Sequence, residues 1–544
     1  MSNLTWWRGA VIYQIYPRSL LDTNGDGVGD LRGIISKLDY IASLNVDAIW
    51  ISPFFKSPMA DFGYDISDYR EVDPLFGTMN DFDELIEKAH ARGIKVIIDQ
   101  VLSHTSDQHA WFIESRESRT NPKADWYVWA DPKEDGTAPN NWLAIFGGCA
   151  WEWEPRRQQY YLHNFLRSQP DVNFHNPEVR QAVLDNVEFW LKKGVDGFRL
   201  DAITFCYHDE QLRDNPAKPK DKRQGRGFSE DNPYAYQYHY YNNDRPQTIE
   251  FIEDLRALIN KYPGAVTLGE VSAEDSLAVM AAYTKGEGRL HMAYSFELLT
   301  NDYSAAYIRQ TVEELEASIG DGWPCWAIGN HDAQRVASRW GKASTSGTQN
   351  TDMVKMLNAM LCSLRGSVCS YQGEELGLTE APIEFHELQD PFGKTFWPMF
   401  KGRDGCRTPM PWEKDAPFAG FTHNAPWLPV ANAHLAAAVD VQEADAHSSL
   451  NGYRQFLNWR KTHPVLVVGD IQFIDAPEPL LAFVRSLGDE KVLVCFNLKE
   501  DDAELDLSSL AIGRELTGHG LKTATLEGTT LKLSAHASYY AMLK

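Results

Sequence analysis

Cysteine is sparse in this chain. Its seven cysteines (Cys149, Cys206, Cys325, Cys362, Cys369, Cys406 and Cys495) are odd in number and form no CxxC pair. That fits reduced thiols in a cytoplasmic protein better than a disulfide framework. No apolar run approaches the ~20 residues needed to span a bilayer. The start, Met1-Ser2-Asn3-Leu4-Thr5-Trp6-Trp7-Arg8, lacks the basic and then apolar pattern of a signal peptide, so the sequon Asn3-Leu4-Thr5 carries little weight. Basic residues are outnumbered, 52 Lys and Arg against 76 Asp and Glu. The resulting charge of −24 disfavours nucleic acid and anionic membranes as partners. Internal repeats and low-complexity segments are absent. Aromatic residues are plentiful, with 17 Trp and 23 Tyr. Such rings fill cores and also make flat apolar floors in sugar-binding clefts.

The chain alternates short apolar strands, polar loops and amphipathic helices. Strands are predicted at Ala10–Tyr16, Val46–Ile51, Ile94–Asp99, Gly197–Asp201, Ala265–Leu268, Met292–Phe296, Trp326–Ile328 and Val368–Tyr371. Asn80-Asp81 is predicted to cap a helix with Phe82, Leu85, Ile86 and Ala89 on one face and Gly93 as its stop. Asn176-Pro177 opens another, which runs through Val179, Val183, Val187 and Trp190 to Gly194. Eight such strands with helices between them predict an α/β fold, a (β/α)8 TIM barrel.

Three stretches interrupt the rhythm. Residues 105–172 are rich in Trp, Asp and Pro and read as an irregular subdomain inserted after strand 3. Residues 207–247 are polar, with a cluster of tyrosines, and residues 377–448 follow the eighth strand; long loops of this kind are usually functional, and both are predicted to lie over the active site. The barrel is therefore assigned residues 1–104 and 173–465. From 466 to 544 short strands with Gly/Asp turns predict a C-terminal antiparallel β-sandwich.

Three acids stand just after apolar runs: Asp201 in Gly197-Phe198-Arg199-Leu200-Asp201, Glu270 in Leu268-Gly269-Glu270, and Asp332 in Gly329-Asn330-His331-Asp332. They lie about 60–70 residues apart; only a barrel, whose strand ends converge on one rim, brings them together. Converging carboxylates suit glycosidic bond cleavage, in which one attacks the sugar and another protonates the leaving oxygen. Arg199 shares Asp201's face of the strand and favours the ionised carboxylate that a nucleophile needs. Glu270 fits the general acid if burial or neighbouring charge raises its pKa. His104, just past Asp99, is placed to bond sugar hydroxyls.

In their order along the chain these segments resemble the α-amylase superfamily of retaining glycoside hydrolases, the thirteenth sequence-based family. Gln169-Pro170-Asp171-Val172-Asn173 is similar to the marker of its oligo-1,6-glucosidase and α-glucosidase subgroup. The resemblance implies Asp201 as nucleophile, Glu270 as acid/base and Asp332 as transition-state stabiliser. It also implies a glucose site lined by Asp61, Tyr64, His104, Arg199, His331 and one arginine, Arg403 in preference to Arg407. Asp61 and that arginine would close the site behind one sugar and make the enzyme exo-acting. Tyr64 would offer a stacking face. The expected substrates are short oligosaccharides, with glucose released by a monomer or homodimer.

Two details refine this. Ser103 stands where many family members have Asn, which weakens any inference of the calcium site that Asn serves. The loop Asp22-Thr23-Asn24-Gly25-Asp26-Gly27-Val28-Gly29-Asp30 spaces oxygen ligands at alternate positions, although Gly33 replaces the closing Glu of a calcium loop. Asp22, Asn24, Asp26, the Val28 carbonyl and Asp30 are the ligands expected for a structural Ca2+ or Mg2+; no organic cofactor is expected. Ala202, after the nucleophile, goes in this subgroup with α-1,4 rather than α-1,6 cleavage. Rival readings are an oligo-1,6-glucosidase, a sucrose- or trehalose-forming isomerase on the same scaffold, an inactive transporter subunit, which predicts a membrane span and eroded acids, and a sugar-binding module, which needs none of the three acids.

Overall fold

The computed structural model describes residues 5–223, 231–341 and 350–544. Asn3 and Leu4 of the sequon and residues 224–230 of the long polar loop lie outside them. Eight parallel strands form the central sheet: β1 (Val11–Ile15), β2 (Ala48–Ile51), β3 (Lys95–Val101), β4 (Gly197–Asp201), β5 (Val266–Val271), β6 (Met292–Ser295), β7 (Cys325–Trp326) and β8 (Ser367–Tyr371). They pair in the order β6-β5-β4-β3-β2-β1-β8-β7. A parallel bridge from Ala293 to Pro324 joins β6 to the segment leading into β7 and closes the ring.

The alternation of side chains on each strand sorts them into two layers. Val11, Tyr13, Ile49, Ile98, Phe198 and Leu200 face outward beneath the helices. Ile12, Trp50, Ile97, Leu268, Met292 and Tyr294 fill the barrel. On β4 the inward positions that alternate with Phe198 and Leu200 fall to Arg199 and Asp201, so charge enters the barrel interior there. All eight strands lie where the sequence puts them, with ends shifted by a few residues. Strand β7 departs most. Its ladder covers only Cys325–Trp326, because Ala327 and Ile328 continue buried but unpaired. The Gly329–Asp332 segment therefore follows as loop rather than at a strand end.

Helix Met79–Ala91 buries Phe82, Leu85, Ile86 and Ala89, the face expected. Its cap is Thr78 rather than Asn80-Asp81. The Thr78 side chain accepts the Asp81 N–H, and the Asp81 carboxylate accepts the Thr78 amide, a reciprocal box that satisfies two donors at once. Asn80 falls inside the first turn. Helix Pro177–Lys192 is capped by Asn176 with Pro177 in its first turn, as the sequence predicts.

The segment between β3 and Pro177 is more regular than its composition suggests. Helix Ala110–Ser115 is followed by a three-stranded antiparallel sheet of Trp129–Ala130, Gln159–Leu162 and Trp151–Glu154. Trp142, Trp151 and Val128 form its apolar centre. The irregular reading fails because this core is built from widely spaced aromatics with no helical period. Bridges from His104 to Asp171 and from Tyr127 to Val172 fix Gln169–Asn173 beside the end of β3.

At the C-terminus a five-stranded and a three-stranded antiparallel sheet enclose Leu480, Leu493, Leu505 and Leu531. Arg485, on the Leu480–Leu487 strand, is fully buried and ties this domain to the barrel. It donates to the carbonyls of Ser363, Leu364, Leu466 and Gly469 at 2.6–3.1 Å. Burial pulls its pKa down to about 9. Arg485→Ala leaves these acceptors unsatisfied and is expected to cost about 3 kcal/mol, read as a lower urea unfolding midpoint.

Candidate active site

Strands β3 to β6 meet at one buried guanidinium. Arg199 Nη1 donates to Asp99 on β3 at 2.9 and 3.1 Å and to Asp201 Oδ1 at 2.6 Å. Nη2 donates to Glu270 Oε1 on β5 and to the Tyr294 hydroxyl on β6. The guanidinium also lies over the Trp50 ring, 4.8 Å from its centre, where the ring face favours a cation. Asp99 receives two further donors, Trp50 Nε1 at 3.1 Å and the Tyr64 hydroxyl at 3.0 Å.

Tyr64 donates to Asp99, so the 2.6 Å contact between its oxygen and His331 Nε2 makes Nε2 the donor. His331 Nδ1 then accepts from Gln14 Nε2 at 2.7 Å. The two rings stack 5.2 Å apart and nearly parallel, so one face of Tyr64 is occupied by the protein itself. Burial drives the His331 pKa down to about 3, and the ring is neutral.

A second cationic centre lies opposite. Arg403 Nη2 donates to Asp61 Oδ1 at 2.9 Å and Nη1 to Asp332 Oδ1 at 3.0 Å. Asp390 holds Arg403 in place, accepting from its backbone N–H, Nε and Nη2 at 2.8–3.2 Å. Arg407 donates to Asp332 Oδ1 at 2.8 Å and to the His331 carbonyl at 2.6 Å. Gln169 Nε2 ties down the other Asp61 oxygen at 3.0 Å.

Asp61, Tyr64, His104, Asp201, Glu270, Asp332 and Arg403 all line one cavity, with Phe146, Phe165 and Phe392 as apolar walls. Arg199 and His331 stand directly behind the lining, and Arg407 supports Asp332 without lining the cavity. His104 is held by the Ser103 hydroxyl on Nδ1 and the Tyr64 carbonyl on Nε2, both at 3.0 Å. All nine residues singled out in the sequence thus gather at one place. Ser272 and Phe296 connect this cavity to a wider one of about 540 Å³, which Tyr234, Tyr238, Tyr240 and the Lys218–Glu274 ion pair line.

Electrostatics divide the carboxyls into two groups. Burial raises Asp99 to about 6 and both Asp201 and Glu270 to about 7, against the opposing pull of Arg199. Three carboxyls share one guanidinium, so they do not all ionise at neutral pH, and the proton belongs to the cluster. For Asp332 burial opposes ionisation, but the adjoining His331 together with Arg403 and Arg407 outweighs it and holds the carboxyl well below the usual range. One group keeps a proton available while the other stays anionic.

The sequence singled out neither Asp390 nor Tyr294, and Gln169 only as part of a marker. Each acts through a partner remote along the chain, Asp61 in the case of Gln169, 108 residues away, so no local pattern reveals the contact.

In the Asp22–Asp30 loop, Asp22 Oδ1 accepts the amides of Asn24 and Gly25, and Oδ2 accepts Gly27 N–H and the Thr422 hydroxyl. Asp26 Oδ1 accepts the Val28 amide. Asp30 caps the helix that starts at Leu31 and accepts from Thr23. The donor set is all oxygen, as Ca2+ and Mg2+ prefer, and a cation would compete with the two donors that each Asp22 oxygen already accepts. Among the described residues no group of three or more His, Cys, Asp or Glu side chains is gathered to hold a metal. A cation here therefore relies on Asn24 and the Val28 carbonyl as well.

A parallel barrel with paired carboxyls at the mouth and a cavity sized for a small ligand defines a barrel glycosidase. Residues 14–469 match the alpha-amylase catalytic domain, and residues 480–539 match the alpha-amylase SusG C-terminal domain. A probable alpha-glucosidase of Rhizobium meliloti is 52% identical, covering 99% of this chain and 97% of that one. An oligo-1,6-glucosidase of Parageobacillus thermoglucosidasius is 37% identical, covering 91% of each. Among solved structures, the alpha-glucosyl transfer enzyme XgtA superposes with TM-score 0.97 at 66% identity over 99% of both chains. The trehalulose synthase MutB of Pseudomonas mesoacidophila superposes with TM-score 0.89 at 33% identity, again over 99% of both. The chain belongs to the α-amylase family and is a glycoside hydrolase. No helix among the described residues is long and apolar enough to cross a membrane.

Asp390→Asn weakens the anchor of Arg403 while leaving Asp201, Glu270 and Asp332 in place. It is expected to raise the inhibition constant for glucose on the order of tenfold with a smaller change in kcat, measured by steady-state competition.

Proposed function

We propose that the protein is a retaining exo-α-glucosidase that removes non-reducing terminal glucose from short oligosaccharides, with α-1,4 bonds preferred. The observation that carries this is one guanidinium, Arg199, hydrogen-bonded to both Asp201 and Glu270 beside a cavity that those two carboxyls and the Asp61–Arg403 ion pair line together. The shared guanidinium keeps the two carboxyls near one another; retention calls for a spacing of about 5–5.5 Å. In this reading the Asp61–Arg403 pair closes the site behind a single hexose, and the leaving sugar extends toward the wider tyrosine-lined cavity.

In this reading Asp201 attacks the anomeric carbon while Glu270 protonates the glycosidic oxygen, giving a covalent β-glucosyl–enzyme. Glu270 then takes a proton from water, or from another hydroxyl in transglucosylation, and α-glucose is transferred with retention. Asp332, kept anionic by its two arginines, stabilises positive charge on the ring in the transition state. Asp61 and Arg403 bind the outer hydroxyls; His104 lines the pocket beside them, and His331, behind the lining, fixes Tyr64.

Ala202 supports the linkage preference on steric grounds. Its backbone is left-handed, φ 47° and ψ 37°, a region that strains β-branched residues, and its small side chain leaves room beside the leaving group. The alpha-glucosyl transfer enzyme XgtA favours a transfer component, and MutB keeps sucrose isomerisation as the rival on this scaffold. Incubation with maltose, isomaltose, sucrose and maltotriose, with products and anomers followed by NMR, tests all of these. The expected result is α-glucose as first product and maltose faster than isomaltose. β-Glucose as first product, or conversion of sucrose into an isomer as the main reaction, would overturn the assignment. Asp201→Asn is expected to cut turnover by a factor of about 10⁴ or more with unchanged circular dichroism.

We also propose that Asp22, Asn24, Asp26, the Val28 carbonyl and Asp30 hold a structural Ca2+ or Mg2+, remote from the reacting carboxyls. The ion would cross-link the loop after β1 to the Thr422 segment and supply no chemistry. Chelation is expected to lower the thermal midpoint and calcium to restore it, with an Asp26→Ala variant unresponsive to either.

A further inference from the structure

We propose that Tyr294 sets the proton affinity of Glu270 and marks which Glu270 oxygen transfers the proton. The inference rests on Glu270 being the acid/base. Arg199 donates to the Tyr294 oxygen twice, from Nε at 3.2 Å and Nη2 at 2.9 Å. Those two N–H groups fill the acceptor positions of the phenol, leaving its own hydrogen directed at Glu270 Oε1, 3.2 Å away. Arg199 Nη2 donates to the same Oε1. Oε1 is thereby fixed by two donors. Oε2 meets only the Ala202 amide, at 3.1 Å, and is left as the oxygen that carries the proton to and from substrate.

The charged and titratable groups facing Glu270 are Arg199 and Asp201 on β4, Asp332 beyond β7, Tyr294 on β6 and, across Arg199, Asp99 on β3. Those facing Tyr294 are Arg199, Glu270 and the Cys369 thiol on β8. Among the side chains that meet Glu270, Tyr294 alone is a neutral donor. Buried beside an acid, its phenol stays protonated and remains a donor throughout the working range. Removing its hydroxyl therefore alters the hydrogen bonding of Glu270 without altering the charge of the cluster. A donor to a carboxylate favours the ionised form, so its loss raises the proton affinity of Glu270. Tyr294 touches no substrate and acts through Glu270, as a positioning residue.

Tyr294→Phe is expected to move the alkaline limb of kcat/KM on maltose upward by about one pH unit, the tenfold of a single charge-assisted hydrogen bond. It should also lower kcat on maltose by about tenfold or more. Nitrophenyl α-glucoside, whose leaving group needs little protonation, should lose less. A merely structural defect would depress both substrates alike and leave the limb where it was; that result would overturn the proposal. Tyr294→Met, similar in reach and without a hydroxyl, gives the same reading if the phenyl ring is poorly accommodated. Glu270→Gln separates the two levels. If it keeps turning over maltose, both the acid/base reading and the role of Tyr294 fall. If it is inactive and the limb of Tyr294→Phe is unmoved, only the role of Tyr294 falls.

Discussion

Arg199 is the constraint on which the site depends. Its side chain is wholly buried, and a buried guanidinium is tolerated only when its donors are met by acceptors of opposite charge. Here Asp99, Asp201 and Glu270 meet them, one from each of three adjacent strands, with the Tyr294 oxygen completing the set. The arrangement requires that β3 to β6 keep their register, because a slip of one residue turns each acid from the barrel interior to its outer face. The register holds through outward Phe198, Leu200, Ile98 and Val96 packed under the helices. Catalytic geometry is therefore a by-product of hydrophobic packing on the opposite face of the same strands.

One cation among three carboxyls leaves a surplus of negative charge that a dry interior disfavours. Retention of a proton at neutral pH relieves it, which gives the cluster both an anion and an acid from the same residue types. Around Arg403 the balance runs the other way. His331, Arg403 and Arg407 together face Asp332, so Asp332 stays ionised. On the proposed reading the two centres divide the labour: the Arg199 cluster exchanges protons, whereas the Arg403 cluster holds fixed charge against a polar sugar.

Much of this was legible in the sequence, for identifiable reasons. Asp201 and Glu270 follow strands whose apolar runs fix both position and facing, and Arg199 shares a strand face with Asp201. His104 was placed by its position just past the third strand and Arg403 through resemblance, and the structure separates Arg403 from Arg407 by its contact with Asp61, 342 residues away. Such pairings depend on where long loops fold back, which no local periodicity encodes. Asp390, Gln169 and Tyr294 were missed for that reason. The Thr78 cap was missed on local grounds, since Asn80 and Thr78 are both good caps and the reciprocal bond to Asp81 decides between them. The end of strand β7 was set two residues too far because Ala327 and Ile328 are buried without pairing, and burial is what an apolar run reports.

Ala202 joins the two levels of organisation. It is the first residue after β4, and its left-handed backbone turns the chain sharply out of the strand. The same turn directs its N–H at Glu270 Oε2. In the resting state that amide competes with a proton for the oxygen, and a glycosidic oxygen arriving at the cavity offers the proton a new acceptor nearby. A residue with a larger, branched side chain would bear more strain in this conformation and would crowd the place where the leaving sugar sits. Backbone geometry at one position thus bears on acid strength and on the shape of the first leaving-group site together, so substitutions there should change linkage preference and pH dependence in concert rather than separately.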